Sequence, residues 1–300
     1  MSGDTAALPL RTPHALAGIA LVVAASACFA ALDTTTKYVS ASVPLLMALW
    51  FRYMFQAVAT TAIVLPMRGR AIWRTHHLPW HLLRGLLLLT SSLPAFFSLR
   101  HMPVGEFTAI VMITPLAITL LAATLLKEQV SVLRWVLVAG GFLGTLIIIR
   151  PGGSSFGWAS LLPIALVASN SWFQVLTSKL ARTEDPVTMH LYTGWTGTLI
   201  ASLALPFVWT MLPNAWLWAG LCFMGLTATV GHFMLILAYY RAPAATLTPY
   251  LYAQIAFAML GGALVFDHVP DQLSLAGIVM IAFCGAAGAW LTVRERRAAG

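Results

Sequence analysis

The chain has 300 residues, 60% of them hydrophobic and only 9% charged, with a mean hydropathy of +0.85. A water-soluble domain of that balance would lack the polar side chains to cover its surface, which leaves a polytopic membrane protein. The net charge of +8 comes without a basic stripe interleaved with exposed aromatics, so nucleic acid is excluded as a partner and the charge reads as membrane topology.

Apolar windows of about 20 residues are long enough to span a bilayer. Ten follow one another, at 14–36, 43–66, 79–99, 104–126 and 132–150, then 157–182, 186–211, 215–239, 243–266 and 272–293. Turn chemistry separates them, as in Arg150-Pro151-Gly152-Gly153-Ser154-Ser155 and Leu212-Pro213-Asn214. Ala25-Ser26-Ala27-Cys28 resembles a signal-peptide cleavage site after Arg11 and an apolar stretch. Cleavage there would remove the counterpart of the sixth segment, so the first segment is read as retained.

The pattern P-x-x-M-x-L-[WY]-x-x-[YW] occurs at Pro44 to Tyr53 and again at Pro186 to Trp195, 142 residues later. The same offset aligns Phe29 to Lys37 with Ser171 to Lys179. One unit is therefore written twice, as residues 1–150 and 151–300. With the N-terminus inside, thirteen Lys and Arg residues fall on the inner side, Arg84 among them, and three on the outer side: Lys37, Arg100 and Arg150. That asymmetry places both termini in the cytoplasm. Five crossings per unit is an odd number, so the second unit enters the membrane inverted, the arrangement from which alternating access follows.

Lys127-Glu128 after the fourth segment lines up with Asp267-His268 after the ninth. The ordered set resembles the drug/metabolite transporter superfamily of the EamA type. That set is a lysine closing the first segment of each unit (Lys37, Lys179), a proline-led second segment, and an acidic residue after the fourth. The resemblance covers essentially the whole chain. It implies an all-α polytopic membrane protein of ten transmembrane helices in two inverted five-helix repeats. Length and aromatic content look most like the bacterial exporters of aromatic and other neutral amino acids.

Ionisable groups inside a bilayer are costly and need a reason. Arg52 lies about nine residues into the second segment, as an anchor for a substrate carboxylate or as a group bonded near the outer surface. Asp33 and Lys37 are an i,i+4 pair with the acid first, a gate or a structural ion pair. Glu106 opens the fourth segment, where the helix dipole favours a negative charge. No carboxylate sits at the midplane, which favours facilitated movement over a proton relay.

Uncharged polar groups outline a cavity between the first, third, fourth, sixth, eighth and ninth segments: Ser91, Ser92, Thr114, Asn170, Gln174, His232 and Gln254. Asn170 and Gln174 share a face, as do Tyr250, Gln254 and Phe257. Trp172, Phe173, Tyr250 and Tyr252 offer aromatic surface for a ring-bearing substrate or for plain packing. Pro115 and Pro249 interrupt the paired fourth and ninth segments and are read as hinges, with Gly261 and Gly262 adding pliancy. Gly140-x-x-x-Gly144 and the small residues at Gly285 and Gly288 suit close helix packing and leave both monomer and homodimer open.

Cys28, Cys222 and Cys284 are scattered in apolar runs and frame neither a disulfide nor a metal site. His77-x-x-x-His81 is placed in a loop and lacks the glutamate of a zinc-hydrolase motif. No nucleophile elbow, P-loop or cofactor motif occurs, so the chain reads as a transporter and not an enzyme, with a small-molecule substrate and no cofactor. The expected function is export of aromatic and other neutral amino acids across the inner membrane. The alternatives are a carrier of drugs, cations or nucleotide-derived metabolites, and a non-transporting membrane enzyme or scaffold.

Overall fold

The computed structural model describes residues 15–149, 161–268 and 271–299, and every element among them is helical. A spanning segment has no water for its backbone, so each peptide group must be satisfied within the segment, and the helix does this. The order is α1 (Ala15–Ser40), α2 (Leu45–Arg68), a 3-10 turn at Gly69–Trp73, α3 (Leu78–His101), α4 (Val104–Val111), α5 (Thr114–Leu125) and α6 (Val132–Ile149). Then come α7 (Leu161–Leu180), α8 (Pro186–Ser202), α9 (Leu205–Val208), α10 (Ala215–Arg241), α11 (Ala244–Leu251), α12 (Ala253–Phe266) and α13 (Gln272–Ala299). Among the described residues, six helical stretches are long and apolar enough to cross a membrane: Ala15–Ser40, Leu45–Trp73, Leu78–His101, Leu161–Leu180, Ala215–Arg241 and Ala244–Phe266. Shorter apolar helices accompany them at Thr114–Leu125, Val132–Ile148 and Leu275–Gly288. The protein is an all-α polytopic membrane protein. The expected link at 150–155 lies outside the described residues.

Local chemistry explains where the helices start. Asp185 caps α8 by accepting from the Val187 and Thr188 N–H groups at 3.1 Å, with Pro186 at the first helical position. Asn214 caps α10 through the Leu217 N–H at 3.0 Å. The seventh expected segment is shorter than read: α8 ends at Ser202, and Pro206 sits in the first turn of the separate α9. The fourth and ninth expected segments are each two helices. Pro115 lies in the first turn of α5, where its missing N–H costs no ladder bond, while Pro249 lies inside α11 just before the break at Tyr252. Gly261 and Gly262 fall well inside the continuous α12. A side chain on Gly261 would collide with Thr34 Oγ1 of α1, so this glycine lets α12 and α1 approach closely.

One backbone feature recurs in two places. Lys127 after α5 and Asp267 after α12 both adopt left-handed φ, 53° and 55°. Each is followed by the same closure: the Glu128 N–H donates to Ala122 O at 3.1 Å and the His268 N–H to Gly262 O at 3.2 Å. The packing pairs also exchange between halves. α1 lies on α10 as α7 lies on α3, α1 meets α12 as α7 meets α5, and α2 with α8 and α6 with α13 pair with their own counterparts.

With no water to expel from between helices in lipid, close packing and hydrogen bonds hold such a bundle. α2 approaches α8 at Gly194 and Gly197, where an added Cβ would stand 2.8 Å from Ala57 N and run into the Tyr53 ring respectively. Gly194, which the sequence pattern aligns with Arg52, thus serves close packing. Gly140 and Gly144 of α6 likewise face Cys284 and Gly277 of α13 inside the bundle. The alternating chain direction gathers Arg68, Arg74, Lys127, Arg182 and Arg241 at one end, the basic end, and Ser40, Met102, Ser202 and Phe266 at the far end.

Candidate functional site

Four helices bring charge and amides together in the interior. Gln254 of α12 donates from Nε2 to Asp33 Oδ2 of α1 at 2.9 Å. Arg52 of α2 donates from Nη1 to Ser92 Oγ of α3 at 2.8 Å, and its guanidinium lies over the Tyr53 ring. Ser92 gives its own proton to Leu88 O at 2.7 Å, so the Tyr53 hydroxyl, 2.9 Å away, is the donor to Ser92. Arg52 is within Coulomb range of Asp33. All five side chains are buried. His232 of α10 points Nδ1 at Ala228 O at 2.8 Å, its ring edge-on to Phe29 at 4.8 Å and Phe173 at 6.0 Å between centroids.

On α7, Gln174 Nε2 donates to Asn170 Oδ1 at 2.5 Å, and Gln174 Oε1 accepts from the Tyr239 hydroxyl of α10 at 2.7 Å. Trp172 does not join them. Two residues along a helix is about 200° around it, and Trp172 is 51% exposed on the opposite face, so its expected place in the site is corrected to the outside of the bundle. Ser91 is buried and donates to Leu88 O at 2.8 Å. Thr114 is buried at the start of α5 with Oγ1 unpartnered. Tyr250 packs in the core that α1, α5, α7 and α10 share with α11.

Asp33 and Lys37 form no ion pair with each other among the described ones. Asp33 takes Gln254, while Lys37 Nζ donates to Leu99 O at 3.3 Å and Met102 O at 2.9 Å, closing the end of α3. Lys37 borders a cavity of about 440 Å³ at the far end, shared with Ser40, Arg100, Asn214 and Phe266. Asp33 is one helical turn deeper.

The basic end is tied by carboxylates. Glu128 joins Arg182 at 2.5 Å through Oε1 and accepts the Ala245 N–H at 3.1 Å through Oε2, linking the ends of α5 and α7 to the start of α11. Arg68 reaches Asp185 at 3.1 Å. Glu184 accepts from Thr75 at 2.8 Å and meets His81 Nε2 at 3.1 Å. Burial alone would raise the Glu184 carboxyl, but the bonds from His81 and Thr75 outweigh it and hold it below its ordinary range. His81, expected in a loop, is buried on the first turn of α3.

Three interior residues escaped the sequence reading. Arg84, counted among the inner-side charges, is fully buried and lies within α3 rather than at its edge. Gln56 of α2 donates to His190 O of α8 at 3.0 Å, and both are buried. The interior thus draws on α2 and α8 as well as on the expected helices. A signal existed for Arg84 in its apolar setting, Leu82-Leu83-Arg84-Gly85-Leu86. Among the described residues no group of three metal-binding side chains occurs.

A bundle of apolar helices around buried, interlinked charges and amides defines a multi-pass membrane protein with a polar interior of the kind that marks a solute path. The EamA-like transporter family profile matches residues 16–150. The riboflavin transporter of Rhizobium johnstonii is 30% identical over 281 residues, covering 91% of each chain. That of Vibrio cholerae is 28% identical over 289 residues, covering 95% of this chain and 97% of the other. The S-adenosylmethionine uptake transporter of Rickettsia conorii is 25% identical over 266 residues, covering 89% and 90%. The chain belongs to the EamA-like transporter family, a transporter and not an enzyme.

Proposed function

We propose that the protein is an inner-membrane carrier that moves a small ring-bearing metabolite by alternating access, with riboflavin as the first candidate. The observation that carries this reading is the buried cluster of Asp33, Gln254, Arg52 and Ser92, contributed by four helices and flanked by His232, Phe29 and Phe173. Its donors and acceptors replace the water around a solute's polar edges, and the rings cover its flat face. The names of the Rhizobium and Vibrio relatives support riboflavin. The exchangeable packing pairs and the twin closures at Glu128 and His268 support ten crossings in two inverted five-helix repeats, and the Lys and Arg asymmetry supports cytoplasmic termini. The carboxylate ties at the basic end support a resting state closed at that end.

Export of a neutral amino acid is the second reading. It is favoured by the opposite charges of Asp33 and Arg52, which suit an ammonium and a carboxylate. Movement is facilitated in both readings. The test is uptake of labelled riboflavin and labelled tryptophan into sealed proteoliposomes, with and without a pH gradient. Gln254→Ala and Asn170→Ala lower transport of the true solute at least tenfold. Unchanged transport in both variants removes the cavity, and tryptophan transport without riboflavin transport selects the second reading.

A further inference from the structure

We propose that Arg84 and His190 form a second recognition point in the carrier, for a planar group that presents two acceptor oxygens. The inference rests on the reading of the bundle centre as the solute site. Arg84 is held by Thr177 Oγ1 to Nε and by Met189 O to Nη1, both at 2.7 Å, and stacks over Phe173. Each of these partners is neutral. Among the described residues Nη2 is buried without a partner. A guanidinium this deep with no counter-charge among its contacts with the described residues is costly to keep, and in membrane proteins such residues mark the path of a substrate.

His190 supplies the other donor. Gln56 Nε2 must present hydrogens to reach His190 O at 3.0 Å, and the same amide nitrogen stands 3.3 Å from His190 Nδ1. Nδ1 is therefore the accepting nitrogen and the proton sits on Nε2. That Nε2 is also buried without a partner among the described residues. His190 follows Met189, whose carbonyl anchors Arg84, so the guanidinium and the imidazole meet the same turn of α8. Two buried donors with nothing to donate to, beside the Phe173 and Phe233 rings, match a flat group with paired oxygens, either a carboxylate or the carbonyls flanking an imide.

The test uses the full-length protein in lipid nanodiscs, titrated calorimetrically with uracil and riboflavin for the imide, benzoate and tryptophan for the carboxylate, and indole as a ring without acceptors. Arg84→Gln and His190→Phe each weaken the bound acceptor probe at least tenfold. His190→Gln, which restores a donor, recovers most of the affinity, and indole binding stays unchanged throughout. If Arg84→Gln does not fold, Arg84→Lys and the two His190 variants decide. A probe bound equally well by wild type, Arg84→Gln and His190→Phe overturns the recognition point and leaves the carrier reading intact. Arg84-dependent binding of uracil or benzoate with neither riboflavin nor tryptophan bound keeps the recognition point and removes both proposed solutes. Binding of none of the four overturns both.

Discussion

Replacing Glu128 with alanine is expected to loosen the basic end. The carboxylate spans three elements, joining Arg182 after α7 and the Ala245 N–H at the start of α11 to the end of α5. Arg182 is half exposed, so its ion pair is worth less than about 1 kcal/mol. The Ala245 N–H, bonded to a nearly buried carboxylate, adds roughly 1.5 kcal/mol. Together they amount to about 2 kcal/mol, or roughly a thirtyfold shift between states closed and open at this end. The reporter is Ala244→Cys, at a position buried in the basic-end core, on a background without the three native cysteines. A membrane-impermeant maleimide labels it at least tenfold faster in Glu128→Ala, while Glu128→Gln, which keeps an acceptor for Ala245, is intermediate. Labelling within twofold of the parent in Glu128→Ala would refute the role of this carboxylate as a closure.

Further outcomes follow from packing and charge. Gly197→Leu drives a side chain into the Tyr53 ring between α8 and α2 and lowers stability by about 1 to 3 kcal/mol, read as a drop in the detergent thermal midpoint. Trp172→Ala, on the outer face, leaves solute affinity within twofold by binding titration. Glu184 has a depressed carboxyl pKa, so its contribution is present above the ordinary carboxylate range and is lost as pH falls through its folded value. The midpoint advantage of wild type over Glu184→Gln therefore shrinks as the pH is lowered below the ordinary carboxylate value of 4.5; an advantage that grows in that range instead contradicts the His81 and Thr75 bonds.

The sequence by itself determined the membrane class and the helical character of its apolar segments, because hydrophobic length is a property of the chain read locally. The aligned Lys127-Glu128 and Asp267-His268 even marked where the backbone turns left-handed. It also picked out Asp33, Arg52, Ser92, Gln174 and Gln254, since a polar group within an apolar run must find a partner. Which partner it finds was decided only by the tertiary structure. Asp33 and Lys37 are a favourable pair along one helix, yet α12 and the end of α3 supply other groups to each. Trp172 and Gln174 are two residues apart, and only the placement of α10 against α7 turns one inward and the other out. Arg84 counted as an inner-side charge until α7 and α8 closed around it. Burial and pairing depend on helices far apart in sequence, and a periodicity read along one segment carries no information about its neighbours.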